Sequence, residues 1–194
     1  YRIYGGISFY QRKEIRDFIA YLRVIVNPKD EEALKRIINY PARGIGKTTV
    51  DKAVLQANEK DISLWDVISN AAIYGFRSNT LEAIDTFVTM IKMFRSEMAR
   101  RNAYDLAVAV GKSTNIIKEL FNDKSTEGLA RYENIQELLN SIKEWVDDKQ
   151  NRAQIDEDGI LLDDNSPSPL ERGGGEVFLG SYLQQITLLT DADG

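Results

Sequence analysis

Five consecutive residues, Gly44-Ile45-Gly46-Lys47-Thr48, are of the types from which a phosphate site is built. Glycine reaches backbone angles closed to other residues and lets a ligand lie close against the chain. Lysine adds a cation and threonine a hydroxyl. A nucleotide-binding loop of this kind needs Gly, four residues, then Gly-Lys-Ser/Thr, and it follows a buried strand. Counting back from Gly46 puts Pro41 where the first glycine belongs, and the pattern that precedes it is helical. No Val/Ile-rich strand ending in a carboxylate follows to hold magnesium. An ATPase or kinase built on Lys47 is the weakest reading of this segment.

A helix, a Gly-x-Gly hairpin and a second helix can cradle an anion in another way. Successive backbone N–H groups point outward, and the second helix presents its positive N-terminal end. Such a cradle suits a DNA phosphate. Arg43 and Lys47 flank the hairpin, and Thr48 or Thr49 can donate hydroxyl bonds. Contacts of this kind place a protein on DNA without reading its sequence. The local pattern is equally that of a plain interhelical turn with Arg43 and Lys47 in solvent.

The rest of the composition narrows the chemistry. The 194 residues contain no Cys and no His. Thiolate metal sites, disulfides and the usual general base near neutral pH are therefore ruled out. No catalytic residue and no metal ligand is assigned. The acidic residues Asp156, Glu157, Asp158, Asp163 and Asp164 depart from the spacing of a calcium-binding loop and read as a solvated stretch. No apolar run approaches a bilayer-spanning length, so no membrane partner is expected. The net charge of −5 is unevenly spread. Residues 1–60 carry twelve Lys/Arg and seven Asp/Glu, whereas residues 145–194 carry three and eleven. Any nucleic-acid contact is expected early in the chain.

The elements that must position the hairpin are mostly helical. Tyr1-Arg2-Ile3-Tyr4 alternates like a short strand, ended by Gly5-Gly6. Ser8 with Gln11 reads as a capping box for a helix burying Ile15, Phe18, Ile19, Leu22 and Ile25 or Val26. A helix over about 30–39 buries Ala33, Leu34, Ile37 and Ile38 before Pro41. Thr48 with Asp51 resembles a cap for the helix that follows, and Ser63 with Asp66 for the next. Longer helices are expected from Asn79 to about Arg101 and over about 127–149. The latter would bury Leu129, Tyr132, Ile135, Leu138, Leu139, Ile142 and Trp145. Trp65 and Trp145 read as core, and Arg95, Arg100 and Arg101 as a solvated helix end. The stretch Asp156–Gly175 reads as a loop, and helical order returns near Tyr182. Tyr1 in place of Met, and the ending at Gly194, suggest a piece of a longer protein.

Several segments read together resemble a known family. Tyr1-Arg2-Ile3-Tyr4-Gly5-Gly6, Phe9-Tyr10-Gln11-Arg12-Lys13-Glu14-Ile15-Arg16-Asp17 and Ala20-Tyr21-Leu22-Arg23 resemble the start of the 2B subdomain region of UvrD/PcrA/Rep-type superfamily 1 helicases. Asn39-Tyr40-Pro41-Ala42-Arg43-Gly44-Ile45-Gly46 is similar to the family's Arg-Gly-Ile-Gly segment. Arg131-Tyr132-Glu133-Asn134-Ile135-Gln136-Glu137-Leu138 is similar to its Arg-x-Glu-Asn segment. Leu183 to Asp191 resembles the stretch before the next helicase motif. Residues 57–125 match mainly in helical pattern, and 147–176 look like a lineage-specific insertion.

The resemblance implies a mainly α, multi-helix accessory domain with a helix-hairpin-helix-like Gly-Ile-Gly element and short strands at its termini. It implies an entry segment over 1–8, a helical 2B subdomain over 9–186 with an acidic loop at about 150–176, and an exit segment over 187–194. It implies an ATP-dependent 3′→5′ DNA helicase as parent, acting in repair or replication, with ATP and magnesium held by the parent's motor domains. No cofactor is assigned to this piece, which would not be catalytic alone. The partners implied are the backbone of double-stranded DNA at a single-strand/duplex junction, the parent's motor domains and DNA-repair proteins. The location implied is the bacterial cytoplasm, with the nucleoid. The duplex contact falls on Arg43, Gly44, Ile45 and Gly46, with Lys47, Thr48 and Thr49 beside them. Arg12, Glu14 and Asp17 become candidates for ion pairs to the motor domain, against the alternative of an ordinary exposed helix face. A protein-interaction module with no direct DNA contact is the alternative function.

Overall fold

The computed structural model describes residues 6–159 and 177–191. Ten α-helices and one 3₁₀ turn account for most of them, and no strand occurs among the described residues. They are α1 (Gly6–Tyr10), α2 (Lys13–Val26), α3 (Glu31–Ile37), α4 (Lys47–Lys60), α5 (Leu64–Ser69), η1 (Ala71–Tyr74), α6 (Ser78–Glu97), α7 (Ala103–Ser113), α8 (Ile116–Asn122), α9 (Thr126–Gly159) and α10 (Leu179–Asp191). The expected strand over 1–4 lies outside the described residues. The strand expected at the other end is helix instead, because α10 runs through 187–191 without a break.

The chain divides into two units, Tyr1–Arg16 with Glu97–Gly194, and Asp17–Ser96. In the second unit, α2 is the central element. Phe18, Tyr21, Leu22, Val24 and Ile25 are all fully buried. A buried side chain of this size contributes roughly 1.5–3 kcal/mol relative to its exposed state. Ile84, Phe87, Ile91 and Phe94 recur at helical spacing along α6 and complete this core. Trp65 is half-buried on α5. That helix starts with the expected capping box. Ser63 Oγ accepts from Asp66 N and Asp66 Oδ2 accepts from Ser63 N.

In the first unit, α9 packs on α7 and α8 through Ile135, Leu138, Leu139, Ile142 and Val146. Trp145 Nε1 donates to Gln185 Oε1 of α10 at 2.6 Å, and its ring meets Tyr182 edge-on. Burial pushes the Tyr182 hydroxyl far above the ordinary tyrosine range, and the charge of Tyr10 adds to the shift. A backbone bond from Ala103 N to Val177 O ties the start of α7 to the segment leading into α10.

Several expectations need correction. Ser8 lies inside α1 and α2 starts only at Lys13, so Ser8 does not cap the long helix. Leu129 is 52% exposed, so it does not belong to the buried face of α9. Helix α9 continues through Gly159, so residues 150–159 are helix in place of the expected loop; residues 160–176 lie outside the described residues. Arg95 is no solvated end. Its Nη1 donates to Ile25 O at 2.6 Å and Val26 O at 3.0 Å, closing the C-terminus of α2.

Candidate nucleic-acid interface

The Gly-Ile-Gly segment joins α3 to α4 inside the second unit. Asp30 caps α3 by accepting from Ala33 N, and Glu31 and Glu32 occupy its positive first turn. At the other end, Asn39 Oδ1 accepts from Arg43 N at 2.9 Å and from Ile45 N at 3.1 Å. One side chain thus holds two amides of the turn. Tyr40-Pro41 is a cis peptide.

The seven expected contact residues separate into two groups. Gly44, Gly46, Lys47 and Thr48 are exposed and Thr49 is half-buried. Ile45 is 1% exposed, and its amide is already bonded to Asn39. It anchors the turn and offers a partner neither its side chain nor its N–H. Arg43 also turns inward. Its Nη1 donates to Ile37 O at 2.6 Å and Ile38 O at 2.8 Å; its Nη2 donates to the Tyr21 hydroxyl and, at 3.3 Å, to Tyr40 O. The guanidinium carbon lies 4.9 Å from the centre of the Phe87 ring. Carbonyls at the C-terminus of α3 gain charged donors this way, and the cation gains an aromatic face. Arg43 and Ile45 are therefore corrected from direct contacts to supports of the turn.

The glycines differ in what they require. Gly44 has φ +83°, a left-handed angle that residues with a Cβ adopt at a cost. Gly46 has φ −75° and ψ 173°, which any residue accepts. A Cβ built on either would meet nothing within 4 Å. Space around the turn is open on the side of both residues.

Helix α4 starts without local compensation. Gly46 is its N-cap and provides no side-chain bond, and the first turn holds no acidic residue. Helices α3, α5 and α7 each have a side-chain cap and an acid in the first turn. Thr48 sits inside the first turn of α4, so the expected Thr48 cap is replaced by Gly46. The result is a 14-residue helix whose positive end, next to exposed Lys47, faces open space. With no side-chain cap to accept them, the first-turn N–H groups of α4 can donate to an anion from outside.

The other candidates lie elsewhere. Arg12 is exposed. Glu14 Oε1 accepts from Asn134 Nδ2 at 2.7 Å, joining the two matched segments inside the first unit. Asp17 is buried and pairs with Arg36 Nε at 2.6 Å in the second. Glu14 and Asp17 are engaged within the chain. Sequence reading missed Asn39, Tyr21 and Arg36 as parts of the site. An Asn four residues before the amide it accepts from is a local signal that could have found the first.

Among the described residues no helix is long and apolar enough to cross a membrane. The sequence model of the UvrD-like helicase C-terminal domain matches residues 1–192. ATP-dependent DNA helicase UvrD1 of Mycobacterium tuberculosis is 33% identical over 196 residues, covering 100% of this chain and 24% of the relative. ATP-dependent DNA helicase PcrA of Bacillus subtilis is 31% identical over 194 residues, covering 98% and 25%. DNA helicase II of Escherichia coli is 28% identical over 198 residues, covering 100% and 26%. The chain spans about a quarter of the length of these relatives. With all four motif segments inside the matched stretch, the chain belongs to the UvrD-like helicase C-terminal domain family.

Proposed function

We propose that this chain is the duplex-contacting, regulatory 2B subdomain of an ATP-dependent 3′→5′ DNA helicase. Gly44, Gly46, Lys47, Thr48 and Thr49 meet the phosphate backbone in this reading. Its support is one observation: the uncapped, acid-free start of α4 lies beside two exposed glycines with open space around them. Helices α3, α5 and α7, by contrast, each have a side-chain cap and an acid in the first turn. Membership of a family whose members include proteins named as DNA helicases supplies the polyanion.

ATP and magnesium belong to motor domains outside this chain. The turn does not fit a triphosphate, since it follows a helix and the interior side of its loop is filled by Ile45 and the Arg43 guanidinium. Lys47 serves the backbone contact. The chain's own contribution is to hold the duplex by its phosphates, without sequence preference, while the motor works elsewhere.

Gly46→Asp tests the assignment. Asp is a favoured N-cap, fits the backbone angles and has room, so the fold is kept or gains a few tenths of a kcal/mol. The same carboxylate repels a phosphate. In the full-length protein, a short mixed-sequence duplex should bind with log affinity falling linearly in log salt, with a slope of about −0.9 per phosphate neutralised. Gly46→Asp should weaken that binding by about tenfold or more, the loss of a charge-assisted bond plus repulsion. A folded Gly46→Asp protein that binds duplex as tightly as wild type overturns the reading.

A further inference from the structure

We propose that Asn39 and Arg43 are the positioning residues of the duplex contact, with Arg43 acting through the protein and never on a phosphate. The inference rests on the reading above and assigns to this pair the geometry of its exposed amides.

The two residues close a small ring. Asn39 leaves the end of α3, and its Oδ1 binds the backbone of Arg43 and Ile45. The Arg43 side chain returns to the same helix end and binds Ile37 O and Ile38 O. Tyr21, fully buried on α2, accepts from Arg43 and donates to Tyr40 O, so the ring is moored to the core. Ile45 plugs the inner side. With the amides of residues 43 and 45 on one acceptor, the 42–43 and 44–45 peptide planes are fixed, and the unit between them, which enters Gly44, is left little freedom. A glycine at φ +83° is thereby held in one conformation although its own backbone would allow many. At the other left-handed glycine turn of the second unit, Gly75 O accepts from Lys52 Nζ, an exposed and flexible donor.

The guanidinium suits this task and no other. It donates to four oxygens, of Ile37, Ile38, Tyr21 and Tyr40, with one face towards Phe87. Those bonds need a planar fork, which an ammonium lacks. A cation that serves a phosphate directly tolerates exchange of Arg for Lys far better than one that holds three backbone carbonyls and a hydroxyl.

The test uses Arg43→Lys, Asn39→Ala and Gly46→Asp in the full-length protein, with two readouts. The first is hydrogen exchange of the peptide spanning residues 39–46, measured without DNA. The second is affinity for a short mixed-sequence duplex at low salt. Arg43→Lys, which keeps the charge, should speed exchange and weaken duplex binding about five- to tenfold, and Asn39→Ala should do the same. The thermal transition of Asn39→Ala should fall only modestly, since one of its two bonds is exposed and the other is part-buried. Wild-type affinity in Arg43→Lys, or faster exchange in Asn39→Ala without loss of duplex binding, overturns the positioning role while Gly46→Asp still reports on the contact itself. Should Gly46→Asp bind like wild type, the duplex reading falls and takes this inference with it.

Discussion

Arg36 Nε donates to Asp17 Oδ1 at 2.6 Å, binding α3 to a carboxylate of α2 that is 4% exposed. A charge so placed tolerates loss of this short, charge-assisted bond badly, because the carboxylate is desolvated. Arg36→Ala should cost about 3 kcal/mol or more of unfolding free energy. Asp17→Asn, which keeps a hydrogen-bonding oxygen, should cost less. Urea denaturation followed by far-ultraviolet dichroism separates the two, and equal losses would show that the pair is not the source.

Arg95 closes α2 as Arg43 closes α3. Its replacement by Met keeps the stem and removes two bonds to Ile25 O and Val26 O. A loss of about 1–3 kcal/mol is expected, with partial recovery in Arg95→Lys. Duplex affinity per folded molecule should not change, in contrast to Arg43→Lys. A thermal melt combined with anisotropy on the same sample checks both halves.

The two glycines of the turn should respond differently to alanine. Gly44→Ala forces a Cβ into φ +83° and is expected to cost about 1–2 kcal/mol. Gly46→Ala, at ordinary angles with open space, should stay within about 0.5 kcal/mol of wild type. Equal destabilisation by both would mean that the left-handed angle is not what holds glycine at position 44.

Gly128 has a steric reason of its own. A Cβ there would lie 2.6 Å from Asp123 O and 2.2 Å from its Cγ, so backbone would have to shift. Gly128→Ala should cost about 1–3 kcal/mol, read from denaturant midpoints. The same turn carries a pH signature. Asp123 accepts from the Ser125 hydroxyl and the Ser125 amide, and these bonds hold its carboxyl below the ordinary value of 3.8. Folding lowers this pKa, so the contribution is complete above 3.8 and disappears as pH falls through the lower folded value. The Ser125 amide resonance should therefore titrate below 3.8, and Asp123→Asn should abolish that titration.

Legibility in the sequence followed distance along the chain. The Ser63–Asp66 box spans three residues, and its chemistry is complete in that span. The periodic apolar faces of α2, α6 and the later part of α9 were equally plain. Leu129 fits that period but lies where no neighbouring helix covers it, and periodicity alone cannot tell where a partner ends. The roles of the arginines were hidden for a related reason. Arg95 reaches carbonyls 69 and 70 residues earlier, and Tyr21 meets Arg43 across 22. In sequence an arginine beside a Gly-x-Gly reads as a ligand for phosphate; only the fold shows its fork already filled. That Gly44, Gly46 and Lys47 are exposed could be read locally, because their exposure needs nothing from afar.

The placement of the two indoles gives the protein its own optical probes. Trp65 belongs to the unit of residues 17–96 and Trp145 to the other, and the chain has no third. Replacing either by Phe leaves an emission that reports on one unit alone. Denaturation curves of the two single-indole proteins coincide if both cores melt as one cooperative system, and separate if each holds its own stability.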